Sequence, residues 1–189
     1  SSLPLKKKGS KYLNYLTPKL SMLINPSDMK NHSETKRNIN NENIFDINRL
    51  GLTDSLETGK SLTAGLEYRQ EKLEDINKYF ELKLATVFRD KEETFIPKTS
   101  TLNKKTSNLF GSLSNNFSDK FNIKYDFALN NNLNTFDYNK ISSSISLNNF
   151  VTEFSFIEEG GDIGSTNTFE NKSKYIFNEN NSISFKTRR

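Results

Sequence analysis

The sequence holds no cysteine and no tryptophan in its 189 residues. Without thiols there is no disulfide framework and no thiolate metal site. A single histidine, His32, argues against a histidine-based catalytic centre or a histidine-rich metal site; a loop histidine is the default reading. Long apolar runs are missing as well, and without a stretch of about 18 such residues no transmembrane helix is expected. Charge of one sign is never concentrated: the formal net charge of +4 is spread along the chain. That pattern reads as a solvated mixed-charge surface, so no nucleic-acid partner is expected. No signal peptide is visible, and the chain opens on Ser1-Ser2-Leu3 without methionine, which reads as an excised piece.

Aromatics, by contrast, are plentiful. They make up 12% of the chain, with 15 Phe and 7 Tyr, although hydrophobic residues total only 33%. Mean hydropathy is −0.74. Simple disorder would not carry so many rings. Low hydropathy combined with many aromatics implies one thin apolar surface rather than a thick core.

That surface is written in period two. In the strand Ser61–Arg69, Leu62, Ala64, Leu66 and Tyr68 fall on one face and Ser61, Thr63, Gly65, Glu67 and Arg69 on the other. Lys78–Arg89 repeats the pattern, with Phe80, Leu82, Leu84, Thr86 and Phe88 against Tyr79, Glu81, Lys83, Ala85, Val87 and Arg89. A helix template would mix Phe80 with Lys83, so it fits worse. Phe121–Asn130 alternates almost ideally. Leu13–Ile24, Thr106–Phe117, Ile141–Leu147, Phe150–Phe156, Phe169–Phe177 and Ser182–Arg188 complete about nine strands, with no confident helix. Phe110 breaks the polar face of its strand. Ile44–Leu50 reads as a possible short strand, and Ser1–Lys11 as a basic linker or loop. Prolines 4, 18, 26 and 97 should sit at strand ends, in loops or at breaks in pairing.

The connections alternate in length. Long polar loops over about 25–60, 90–105 and 158–168 and a middling one over 130–138 interleave with short turns near 70–77, 118–120, 148–149 and 178–181. Asn148-Asn149 is a two-residue hairpin signal. Long loops at one end and short turns at the other are the habit of an outer-membrane barrel, and strands of about 9–12 residues suit a tilted bilayer crossing. The fold class expected is therefore all-β: antiparallel up-and-down strands forming part of an outer-membrane β-barrel, with residues 1–189 as one partial transmembrane domain. An odd strand count marks a piece, because bacterial single-chain barrels have even numbers. The outer face would carry Phe80, Leu82, Leu84, Phe121, Ile123, Phe127 and Phe154 against lipid. The inner face would carry Glu67, Arg69, Glu81, Lys83, Lys124 and Asp126. Tyr68, Phe88 and Phe156 are placed to form interface girdles. A porin or uptake barrel, or a soluble or surface-displayed β-rich binding module, are the alternatives; a need for detergent separates barrel from module.

The run Leu16-Thr17-Pro18-Lys19-Leu20, then Asn25-Pro26, and above all Ile44–Tyr68 resembles the barrel domain of the LptD lipopolysaccharide-assembly family. The residues that carry the resemblance are Phe45, Asn48, Arg49, Gly51, Asp54, Glu57, Gly59, Gly65, Leu66 and Tyr68. Ser55 stands where many members have Arg. The family's periplasmic jelly-roll domain and its first and last barrel strands are not in this stretch. The resemblance implies a role in inserting lipopolysaccharide into the outer leaflet of the outer membrane of a Gram-negative bacterium. It implies lipopolysaccharide and outer-membrane lipid as ligands, and an LptE-type plug lipoprotein and a periplasmic Lpt bridge as partners.

Asn48, Arg49, Gly51, Asp54, Glu57, Gly59, Gly65 and Tyr68 read as a structural or lumen motif, with an Arg–carboxylate pair within it. Arg69, Lys83 and Lys124 are candidate lumen contacts to lipid A phosphates, though ordinary lumen polarity explains them equally well. Glu158, Glu159 and Asp162 form an acidic loop, more readily solvated than cation-binding. Gly160–Gly164 lacks phosphate-loop spacing. No nucleophile stands with its base, so no catalytic residue, cofactor or metal is expected.

Overall fold

The computed structural model describes residues 1–189. It is a single antiparallel sheet of ten strands whose spatial order is their sequence order. The strands are β1 (Leu5–Lys8), β2 (Tyr12–Asn25), β3 (Gly59–Lys72), β4 (Asp75–Arg89) and β5 (Leu109–Ser118), then β6 (Phe121–Leu129), β7 (Phe136–Leu147), β8 (Phe150–Glu159), β9 (Asn167–Asn178) and β10 (Asn181–Arg188). The only helical element is a 3-10 turn, Lys98–Ser100. The sheet does not close on itself, and β1 and β10 are its edges.

Every short turn lies at one end: 9–11, 73–74, 119–120, 148–149 and 179–180. The connections 26–58, 90–108, 130–135 and 160–166 lie at the other. At the tightest turn Asn148 adopts φ 51°, a conformation asparagine tolerates better than most residues. Register is regular over long stretches. Asn25↔Gly59 through Tyr12↔Lys72 pairs β2 with β3 along their whole length.

The faces follow the alternation. Leu20, Met22, Ile24, Leu62, Leu66, Phe154, Phe156, Phe169 and Phe185 all point outward and remain exposed. So many bare apolar side chains on one face require an apolar surrounding. The inner face is covered instead. Met29, Ile39, Ile44, Leu50 and Leu52 from loop 26–58 meet Ile96 and Leu102 from loop 90–108 and Ile163 from loop 160–166. They pack on Ala85, Val87, Phe110 and Ala128 of the wall. The core thus sits inside the curve of the sheet, at the long-loop end.

Ten strands, an even number, stand where about nine were expected, and two segments differ from the sequence reading. The first strand, β1, comes from the segment read as a linker, and Lys6↔Tyr15 to Lys8↔Leu13 pair it to β2. Ile44–Leu50 is a run of turns rather than a strand, because its apolar residues serve the inward core and not a sheet face. Phe110, the break in the alternation of β5, is buried in that core. Pro18 lies in the middle of β2, where regular pairing with β1 has already stopped and only Leu3 N donates to its carbonyl, at 3.1 Å.

Candidate functional site

The densest polar structure is where loop 26–58 returns to the wall. Arg49 lies 5% exposed and Glu57 3% exposed. Arg49 Nε donates to Glu57 Oε2 at 2.6 Å and its Nη2 to Oε1 at 2.6 Å, a bidentate pair. Nη2 also reaches Ser61 Oγ at 2.8 Å, and Nη1 donates to Thr63 Oγ1 at 2.7 Å and Ile44 O at 3.3 Å. All five guanidinium donors are thereby used. Arg89, the last residue of β4, closes the arrangement by donating to Glu57 Oε1 and to Thr58 O. One carboxylate thus holds two guanidiniums and fastens the loop to the inner faces of β3 and β4.

The small residues around this anchor are there for space. Gly51 and Gly59 take φ +60° and +86°, and a Cβ on Gly59 would stand 2.9 Å from Arg89 Nη2. Gly65 leaves room for Phe45, whose Cζ would lie 2.6 Å from a Cβ there. Lys19 Nζ stands 5.7 Å from the centre of the same ring. Asn48 Nδ2 donates to Leu52 O at 2.9 Å and steadies the turn. Asp54 belongs to a different cluster: it pairs with Lys30 at 3.1 Å and His32 at 3.0 Å, near the start of the same loop. The hydrogen bond from Lys30, helped by its charge, holds the Asp54 carboxyl below the ordinary range. His32 also lies 3.0 Å from Ser55 Oγ. Tyr68 faces outward near the short-turn end, and its hydroxyl donates to Asn14 at 2.8 Å.

Loop 26–58 is tied sideways too. Lys98 of loop 90–108 pairs with Glu34 at 2.9 Å, and that hydrogen bond holds the Glu34 carboxyl below its ordinary range. Arg37 N donates to Thr99 Oγ1 at 2.8 Å, and Thr99 Oγ1 donates to Arg37 O at 3.0 Å.

Below the anchor, the segment Asn38–Glu42 roofs a cavity of ≈ 270 Å³ against β4 to β7. Lys83 and Lys124 both line it, with Lys140, Glu81 and Asp126. Arg69 does not; it sits nearer the short turns, on Glu71 at 2.7 Å and Glu81 at 3.3 Å, over the ring of Tyr79 at 3.9 Å. Lys83 pairs with Glu81 at 2.9 Å, and Lys124 with Glu42 at 3.2 Å and Asp126 at 3.3 Å. Glu158, Glu159 and Asp162 do not converge: they bond Asn139, Thr166 and Lys104 respectively. No group of three metal-ligating side chains is present.

Sequence reasoning missed Arg89 and Lys30. A signal for Arg89 existed, since it ends a strand face of Ala85 and Val87, both buried, where a cation needs a carboxylate.

An antiparallel sheet with an apolar exposed face, a polar loop-filled inner face and all its long connections at one end defines a wall of an outer-membrane β-barrel. No helix is long and apolar enough to cross a membrane. The sequence profile of the family described as LptD, LPS transport system D, matches residues 1–183. The chain therefore belongs to the LptD family, a family of lipopolysaccharide transport at the outer membrane rather than of catalysis. No curated protein sequence matches it significantly.

Proposed function

We propose that this chain forms part of the barrel that inserts lipopolysaccharide into the outer leaflet of the outer membrane of a Gram-negative bacterium. The observation that carries the reading is the family match over residues 1–183. The two-faced sheet supports it physically. The inner wall is polar enough to pass sugars and phosphates, while the outer face suits acyl chains in the bilayer. The barrel acts by shape: the headgroup moves through the lumen and the acyl chains leave sideways. Lys83 and Lys124, and Arg69 nearer the short turns, line that path and exchange their carboxylate partners for a passing phosphate. A plug lipoprotein of the LptE type and the periplasmic Lpt bridge are the partners this reading calls for.

The test is depletion of the full-length protein in its own cells. Lipopolysaccharide reaching the outer leaflet, read by its modification by an outer-leaflet enzyme, is expected to fall as the protein is lost. Unchanged surface lipopolysaccharide after depletion overturns the reading in favour of an uptake barrel.

A further inference from the structure

Charge on the inner wall is balanced on one side of the sheet and not on the other. From β2 to β6, Lys19 meets Glu67 at 2.5 Å, Arg69 meets Glu71 at 2.7 Å, Lys83 meets Glu81 at 2.9 Å and Lys124 meets Glu42 at 3.2 Å. β9 breaks this pattern. Lys172 and Lys174 face the lumen, in register with Glu153 and Val151 of β8. Both are exposed, and neither forms an ion pair. The acid of β9, Glu170, is already taken by Arg188 at 3.2 Å and Lys186 at 4.0 Å. Lys172 stands directly opposite Lys186 of β10. Like charges at opposed positions disfavour an antiparallel pair, a cost eased here by Glu153 in register with Lys172 and by Glu170 beside Lys186. The surplus is not an edge effect for Lys172 and Lys174, because β9 is flanked by a strand on each side.

We propose that Lys172, Lys174 and Lys186 form an anion-binding track on the inner face of β9 and β10, and that its occupant is a phosphomonoester carried on a glycolipid headgroup. A phosphate offers three strong acceptor oxygens and close to two negative charges. Two opposed ammonium groups and a third two residues along the strand present point charges that one phosphate can bridge. The charge argument names the anion; the identity of its carrier rests on the lipopolysaccharide reading above. The ion-paired cations of β2 to β6 serve transit, whereas Lys172 and Lys174, which form no ion pair, hold the ligand with Lys186 opposite.

The experiment measures binding to the full-length protein in detergent. The probes are short-chain lipopolysaccharide bearing its lipid A phosphates, the same glycolipid stripped of phosphate, and inorganic phosphate. K172Q/K174Q is compared with the wild type and with K120Q, a lysine in the 119–120 turn. The double variant is expected to bind phosphorylated glycolipid about tenfold more weakly, the loss of a charge-assisted contact, with K120Q unchanged. Stripped glycolipid should bind wild type and double variant alike. Faster migration of the folded barrel on unheated gels verifies each variant; should the double variant not fold, K172Q and K174Q singly are expected to show a smaller loss of the same kind. Equal binding of phosphorylated glycolipid by folded variants and wild type overturns the track and leaves the lipopolysaccharide reading standing. A wild type that binds neither glycolipid overturns that reading and the headgroup with it. Inorganic phosphate binding as tightly as the glycolipid overturns the headgroup as the source.

Discussion

At the scale of single residues, Glu57 is the most consequential position. Its carboxylate is the one counter-charge shared by two buried guanidiniums, and neither Arg49 nor Arg89 has another acid to turn to. Glu57→Gln keeps the shape and removes the charge. Leaving buried cations uncompensated costs about 3–5 kcal/mol, so the variant is expected to lower the full-length protein's unfolding midpoint and its yield of folded barrel. Asp54 gives a pH prediction. Its folded-state pKa is depressed, so its contribution is present above the unfolded carboxylate value and is lost as pH falls through the folded one. Hydrogen-exchange protection of residues 30–34 is expected to decline across that acid window. In Asp54→Asn the protection should already be low at neutral pH and flat below it; a wild-type profile in that variant refutes the link.

At the scale of elements, the two faces of β4 make opposite predictions at neighbouring positions. Leu84 points to the lipid and Lys83 to the lumen, paired across to Leu66 and Glu67. A lysine at the bilayer midplane costs about 2–4 kcal/mol, so Leu84→Lys is expected to block assembly into the membrane. Lys83→Ser should be tolerated for assembly, since Glu81 keeps Arg69 at 3.3 Å. Equal effects in an assembly assay sink the two-face assignment. This periodicity is also why β3, β4 and β6 were legible in the sequence: Ser61–Arg69, Tyr79–Arg89 and Phe121–Leu129 alternate between lipid and wall. β1 was not, because Lys6, Lys7 and Lys8 present the same residue to both faces. Ile44–Leu50 misled for the complementary reason: its apolar residues look inward to other loops, a tertiary demand that mimics a strand. The motif drew attention to Arg49 and Glu57, but their third partner, Arg89, lies 32 residues from Glu57 and no local pattern joins them.

At the scale of the whole molecule, the loops turn an open-ended wall into one filled at a single end. Loop 26–58 leaves and returns through Asn25 and Gly59, which are directly paired across β2 and β3. Replacing residues 30–56 with a short Gly-Ser linker therefore leaves strand register intact, because the ends are already together. The excision uncovers Val87 and Phe110 on the inner wall and removes the plug above them. The full-length variant is expected to conduct ions in a planar bilayer at markedly higher levels than the wild type. Wild-type conductance in a folded variant refutes the plugging role.

The buried guanidinium–carboxylate–guanidinium cluster also bears on the order in which the chain folds. Arg49 and Glu57 are eight residues apart and Arg89 lies 32 from Glu57, one hairpin further on, whereas closure of a barrel joins strands from opposite ends of the chain. Contacts with short separation form early, since they close small loops at low entropic cost. A half-built cluster is worse than none, because a lone guanidinium cannot be left dry. Loop and hairpin are thus bound to mature as one cooperative unit, ahead of strand-to-strand closure. In pulse-labelling during assembly, the amides of Ser61, Thr63 and Ile44 should gain protection in one kinetic phase, and in Glu57→Gln that phase should slow.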